Sequence, residues 1–217
     1  MLQFVREIPL RIILQGASSE RRGFLFFLSA GFSKPVDPMT GMTVNLVKVD
    51  KWLLELKANL QQDVFISETE NLSHAMAELM AVTRLNLLEK TEQEQATLVS
   101  LEFREERGWS FAWDHLMSAE EMRFKYHHYL ETFFEEPSLG REFDLLKIEF
   151  CWRRARGCEI DFQNEGFKIL KHLRQNKNSN QNLRDQLRSQ IGLAWPSGSV
   201  LEDITVHQLG SEFSLQL

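Results

Sequence analysis

The chain has 217 residues, a net charge of −6 and a hydrophobic fraction of 43%. A chain of this length forms one large domain or two small ones, and either can bury a substantial core. The acidic charge argues against non-specific nucleic-acid binding, which needs cations that neutralise phosphate. No apolar run approaches the ~20 residues that cross a bilayer, and the N-terminus has no signal-peptide pattern. We therefore expect a cytoplasmic protein with neither a nucleic-acid nor a membrane partner.

The first half of the chain begins with two predicted strands and a helix. The first strand runs from Phe4 to Leu14 and contains Pro9, which favours an edge position or a bulge. The second covers Gly23 to about Phe32, and its apolar run is too short for a helix. The helix that follows is indicated by apolar residues at helical spacing, namely Val49, Trp52, Leu53, Leu56 and Leu60.

A second helix and a hairpin complete this half. Ser67 and Glu70 form a capping box, which predicts that a helix begins there. An apolar stripe through Ala75 and Met80 continues the helix, and a charged loop is expected from residue 91 to residue 96. The segment 98–113 alternates apolar and polar residues with Gly108 near its middle, which predicts a hairpin.

The second half repeats this order of elements. Strands are predicted around Phe124 and from Phe143 to Trp152, helical patterning follows, and a hairpin is expected about Gly210. Repetition at a period of roughly a hundred residues indicates duplicated architecture. The sequence therefore predicts an α+β protein of two tandem ββααββ units, residues 1–115 and 116–217.

The segment from Asp37 to Leu56, D-P-M-T-G-M-T-V-N-L-V-K-V-D-K-W-L-L-E-L, resembles the 6-pyruvoyltetrahydropterin synthase family, which includes the 6-carboxytetrahydropterin synthases. Members of that family carry an acidic-x-x-T-G-M-V-x-N/D-L-x-x-L-K segment. The resemblance implies a tunnelling fold, in which each unit is a four-stranded antiparallel sheet with two helices on one face. It also implies a homo-oligomer formed through sheet edges, with ligand sites at the subunit interfaces.

Enzymes of the family hold a catalytic zinc with three histidines, two of them in an H-G-H segment. The resemblance places Arg22-Gly23-Phe24 on H-G-H, so only the glycine is retained. The first strand of the first half has no histidine at the position of the third ligand. In the second half His128 could correspond to that ligand, although His127 and His128 can also be a pair on opposite faces of a strand. The family's catalytic cysteine has no counterpart between Gln15 and Arg22. The family's zinc ligands are not retained, so we expect no bound zinc cofactor and the loss of the zinc-dependent reaction.

The pterin-binding residues of the family have better counterparts. The anchoring glutamate of the third strand aligns with Glu105, and Thr69 and Glu70 fall on the family's T-T-E-N segment. In the second half, Gln208 occupies the glutamate position. Each residue also has an ordinary interpretation. Glu105 can be a solvated charge beside a turn, Thr69 and Glu70 can cap a helix, and Gln208 can be an ordinary strand end.

Three functions follow from these expectations. The first is a pterin synthase-like protein that binds a pterin or purine-like heterocycle at a subunit interface through Glu105, without zinc-dependent catalysis. The second is an active 6-carboxytetrahydropterin synthase-like lyase that uses zinc at an atypical metal site. The third is a non-catalytic scaffold or oligomerisation protein.

Overall fold

The computed structural model shows a mixed α+β protein that divides into two compact units, Met1–Met122 and Arg123–Leu217. The predicted boundary, between residues 115 and 116, lies shortly before this division. The residues that the structure describes are 2–15, 21–36, 38–39, 45–62, 65–66, 72–106, 108–118, 121–136, 140–154, 168–169, 171, 189, 200–208 and 214–216.

The first unit has the predicted order of two strands, two helices and two strands, with one short strand between the helices. Its sheet has the strand order β3-β1-β2-β4-β5, antiparallel except where β3 joins β1. The elements are β1 (Leu2–Gln15), β2 (Arg21–Lys34), α1 (Leu46–Gln62), β3 (Phe65–Ile66), α2 (Leu72–Gln93), β4 (Thr97–Glu105) and β5 (Ser110–Asp114).

Both helices of the first unit pack on one face of its sheet, with α1 against β1 and α2 against β4. Alternation along the strands sends every second side chain to this face, where Leu28 and Leu101 are fully buried. The predicted apolar stripe of α1 is confirmed, since Val49 and Leu53 are also fully buried. Each such side chain stabilises the fold by about 1.5–3 kcal/mol.

The α2 helix is longer than its sequence pattern indicates. It ends at Gln93, so the prediction of a loop from Thr91 onward is wrong for the first three residues. Thr91 is buried, and its hydroxyl donates to the Leu88 carbonyl at 2.9 Å. The chain then leaves the helix at Gln95, whose φ is 54°, and the Ala96 amide donates to the Thr91 carbonyl at 2.9 Å.

The second unit is described mainly through its strands, and they have the order β6-β7-β8-β9. The helices predicted between β7 and β8 fall largely outside the described residues. The pairs β7–β8 and β8–β9 are antiparallel, as the predicted terminal hairpin requires. The strands are β6 (Met122–Glu136), β7 (Gly140–Arg154), β8 (Val200–Gln208) and β9 (Ser214–Gln216).

The two units share an irregularity at the same place in their ladders. The β2–β4 pairing shifts between Gly31 and Phe32, and the β7–β8 pairing shifts between Cys151 and Trp152. In both cases one extra residue lies in the later strand of the pair, β4 in the first ladder and β8 in the second, as in a β-bulge. The pairs Phe26–Glu105 and Leu146–Gln208 lie at equal distances from the two shifts. The two ladders thus have the common register that a duplicated architecture predicts.

Pro9 lies where an edge strand tolerates it. Among the described residues, the outer edge of β1 is paired only at its last two positions, with β3. The Glu106 amide donates to the Leu25 carbonyl at 3.2 Å, so Leu25 points toward β4 and, by alternation, so does Phe27. Pro9 lies opposite Phe27 and therefore directs its nitrogen to the outer edge, where no bond to β2 is lost. The predicted edge position of Pro9 is confirmed.

Candidate functional site

Five aromatic rings of the first unit form one cluster on the helix-covered face, near the turn between β4 and β5. Phe26 is fully buried at its centre, with edge-on contacts at 5.9 Å to Phe103, 5.4 Å to Trp109 and 5.7 Å to Phe111. Phe24 stacks on Phe26 at 5.5 Å. Such pairs are worth about 0.5–1.5 kcal/mol beyond area burial. We call these five residues the aromatic cluster.

Glu105 is the last residue of β4 and lies beside this cluster. It is only 4% exposed, although it belongs to the charged segment R-E-E-R. Burial along β4 alternates through Leu101, Phe103 and Glu105, which places the glutamate on the same face as the rings. The interpretation of Glu105 as a solvated turn charge is therefore wrong.

The ladder sets the distance between Glu105 and the cluster. Glu105 pairs with Phe26 across β2 and β4, while its amide donates to the Trp109 carbonyl in the opposite direction at 2.8 Å. The pair with Phe26 is consequently of the non-hydrogen-bonded kind, in which the Cα atoms lie about 4.5 Å apart and the side chains are closest. The carboxyl-bearing side chain is held next to the central ring of the cluster.

The turn that follows fixes the backbone of Glu105. The Gly108 amide donates to the Glu105 carbonyl at 2.9 Å, and Gly108 has a φ of 98°, a conformation that strongly favours glycine. The adjacent Glu106 is exposed, with its amide bonded to β2. The two neighbouring glutamates therefore differ in environment: Glu105 is buried and Glu106 is exposed. The end of β4 and the turn after it are rigid, so they hold the carboxyl group of Glu105 in a defined position.

A carboxylate in this position can act as a directional acceptor. Its two oxygens accept two adjacent N–H donors in a bidentate arrangement, and charge-assisted hydrogen bonds are about twice as strong as neutral ones. The apolar surroundings lower the local dielectric and strengthen such bonds further. Phe24, the half-buried ring of the cluster, provides flat apolar surface, so the arrangement suits a planar ligand with adjacent N–H groups along one edge.

The other predicted site residues are only partly described. Thr69 and Glu70 lie outside the described residues, directly before α2 begins at Leu72. Gln208 is the last residue of β8 and His128 lies within β6, but the structure describes neither side chain. Of the predicted ligand-binding residues, only Glu105 has a described side chain. The positions of the other three side chains relative to Glu105 lie outside the described residues.

The residues on the H-G-H positions do not fit a zinc site. Phe24 offers no donor atom, and its ring lies against Phe26 and, at 5.9 Å, against Trp109. Arg22 is a permanent cation and does not serve as a ligand, whereas zinc in proteins takes histidine, cysteine or carboxylate ligands. Within the described ranges no group of three or more His, Cys, Asp or Glu residues is arranged to hold a metal ion.

Sequence reasoning missed a polar network on the opposite face of the same sheet. One oxygen of Glu7 accepts hydrogen bonds from Ser29 and from Arg104, both at 2.9 Å. The Arg104 guanidinium lies over the ring of Phe27 at 5.6 Å. These residues come from three strands and alternate with core residues, so only the strand register could have grouped them. They satisfy one another and tie the strands together.

A second network of this kind lies in the second unit. The Glu202 carboxylate pairs with Arg123 at 2.8 Å and with Arg153 at 3.1 Å, which links three strands. Glu202 is also the extra residue of the β7–β8 bulge. The geometry is that of a structural ion-pair network.

Comparison of the chain with protein-family models, with curated proteins and with solved structures finds no match in any of the three. None of the helices in the described ranges is long and apolar enough to span a membrane. Among the described residues, Glu105 with the aromatic cluster is the candidate functional site.

Proposed function

We propose that this protein is a tunnelling-fold relative of the pterin synthases that binds a pterin or purine-like heterocycle through Glu105 and does not carry out the zinc-dependent reaction. The observation that carries the proposal is the burial of Glu105 beside the aromatic cluster. Glutamate is mostly exposed in folded proteins, so this burial distinguishes Glu105 from the other residues of its charged segment. Resemblance of Asp37–Leu56 to the family points to the same position.

The chemistry of the ligand fits this site. A pterin presents a ring N–H and an exocyclic amino group side by side, and a carboxylate can accept one hydrogen bond from each. Guanine has the same pair of donors on its pyrimidine ring. The flat ring system offers a π face to neighbouring aromatic side chains, which is a sequence-tolerant way of binding heterocycles.

The architecture also supports the proposal. The first unit has the strand and helix order of a tunnelling-fold unit, and the second repeats the register of its ladder. Ligand sites at subunit interfaces would require a homo-oligomer formed through sheet edges. Pro9 removes one donor from the outer edge of β1, so pairing centred there would lack a ladder bond. We therefore place the intersubunit pairing away from the middle of β1.

The two alternative functions make different demands. A zinc-dependent lyase would need ligands other than Arg22 and Phe24, and the described residues supply no such group. A scaffold would need no carboxylate that binds a ligand. Arg22 and Phe24 at the H-G-H positions weigh against the lyase, and Glu105 beside the aromatic cluster supports heterocycle binding over a scaffold.

The test is calorimetric titration of pterin and of guanine into the protein and two variants. Glu105→Gln keeps the shape of the side chain but places an amide donor opposite a ligand donor, and we expect the affinity to fall about tenfold or more. Glu106→Gln changes the exposed neighbour and should bind as the native chain does. Thermal unfolding of all three proteins checks that each is folded.

Either of two results would contradict the proposal. Unchanged affinity in Glu105→Gln would remove that residue from the site. Absence of binding to the native chain, together with a stable complex with a protein partner, would favour the scaffold.

A further inference from the structure

The aromatic cluster is enclosed except at one ring. Phe26, Phe103 and Phe111 are fully buried and Trp109 is 7% exposed, whereas Phe24 is half-buried. Phe24 also lies nearest the end of the sheet, two residues before Phe26 on the same strand face. Among the five rings it therefore offers the most surface to a ligand.

The ring of Phe24 is held in a defined orientation. It stacks on Phe26 with an interplanar angle of 17° and meets Trp109 edge-on at 90°. Two contacts in different directions restrict the rotamer of Phe24. Little side-chain conformational entropy of Phe24 is therefore lost when a ligand stacks on it.

The spacing between Phe24 and Glu105 suits a bicyclic ring. Two residues along a strand span about 7 Å, and Glu105 lies directly opposite Phe26. A heterocycle whose donor edge binds Glu105 would extend toward Phe24 over a distance comparable with two fused six-membered rings. The carboxylate would bind the donor edge of one ring, and Phe24 would lie against the face of the other ring.

We propose that Phe24 is the stacking residue of the site and that it selects a planar, fully aromatic heterocycle over a reduced, puckered one. This inference rests on the proposed function and adds the oxidation state of the ligand ring to it. A phenyl ring stacks offset on a flat π system. The tetrahydro form has a non-planar second ring and loses that contact, while its donor edge remains available to Glu105.

The experiment compares the binding of pterin and of tetrahydropterin, the latter under anaerobic conditions, to the native chain and three variants. Phe24→Leu removes the π face and should weaken pterin binding about 5- to 160-fold, the range found for single stacking contacts. The preference for pterin over tetrahydropterin should disappear with it. Phe24→Trp restores an aromatic face and should retain the preference. Phe27→Leu, on the opposite face of the same strand, should bind as the native chain does.

The outcomes separate this inference from the proposed function. If the native chain binds pterin and Phe24→Leu binds it equally well, Phe24 is not the stacking residue and Glu105 can still be the anchor. If the native chain binds both oxidation states equally, the selection for planarity is wrong. If it binds neither heterocycle, the proposed function fails and this inference fails with it.

Discussion

Phe26 and Glu105 face each other across β2 and β4 as a non-hydrogen-bonded pair, so a fully buried ring lies against a buried glutamate. Phe26 also contacts four other rings and is the centre of the aromatic cluster. One pair of residues thus connects the core of the first unit with its candidate site.

Replacing the central ring should have a large effect on stability. Phe26→Ala leaves a cavity among four rings, and we expect the free energy of unfolding to fall by about 3–5 kcal/mol. Phe27→Ala is the matched control, because Phe27 is half-buried on the other face of the same strand. Urea unfolding of the two variants measures the difference. Equal losses would show that the cluster does not stabilise the unit as described.

Two glycines of β2 should respond oppositely to alanine. A Cβ at Gly31 would collide with the Ser100 side chain and lie 3.3 Å from Val99, whereas a Cβ at Gly23 meets nothing within 4 Å. We expect Gly31→Ala to lower the free energy of unfolding by about 1–3 kcal/mol. Gly23→Ala should raise it by about 0.4–1 kcal/mol, because it restricts the unfolded chain.

A double-mutant cycle tests the cause of the Gly31 effect. In a Ser100→Ala background the hydroxyl that meets the new methyl group is absent, so Gly31→Ala should cost less there than in the native chain. Identical costs in both backgrounds would contradict the collision with Ser100.

Cys151 should be an unreactive thiol in the folded protein. Burial raises the pKa of the Cys151 thiol to about 11, and Lys125 nearby acts in the opposite direction. In a Cys158→Ser background we expect a thiol reagent at pH 8 to label Cys151 only on unfolding. Labelling at the rate of a free thiol under native conditions would show that Cys151 is accessible.

The same pKa predicts a dependence of stability on pH. The unfolded thiol has a pKa of about 8.5, below that of the folded state. The contribution of Cys151 is therefore fully present below pH 8.5 and is lost as the pH rises toward about 11. Urea unfolding should show a steeper alkaline decline for the Cys158→Ser chain than for the same chain with Cys151→Ala. Parallel declines would contradict the shift.

Metal content tests the loss of the zinc-dependent reaction. Since Arg22 and Phe24 occupy the positions of two ligands, we expect protein purified without chelator to carry no stoichiometric zinc and to take up none tightly when it is added. His128→Ala should leave the metal content unchanged. Mass spectrometry measures both. About one zinc per chain, lost on His128→Ala, would instead restore the lyase.

Local patterns were sufficient to predict much of the fold. The α1 stripe and the β4–β5 hairpin depend on periodicities of 3.6 and 2, which are visible within one segment. Gly108 and Pro9 have conformational requirements of their own, so their positions near a turn and at an edge followed directly. The end of α2 was missed because the burial of Thr91 depends on tertiary packing.

The candidate site was less predictable. Glu105 belongs to a charged segment, and such a segment is typical of a solvent-exposed turn. Its burial follows from the pairing of β4 with β2, which are distant in sequence. A register cannot be read from one strand alone, and a slip of one residue would place Glu105 on the opposite face. The same holds for the contact of Phe24 with Trp109.

The most direct test of the central claim is to compare the binding of pterin with that of lumazine, in which a carbonyl replaces the 2-amino group. If the Glu105 carboxylate anchors the donor edge, the native chain should bind pterin at least about tenfold more tightly, because the carbonyl oxygen would face a negative charge without a donor. Glu105→Gln should abolish this preference. Equal affinities of the native chain for the two heterocycles would contradict the claim that Glu105 recognises the ligand.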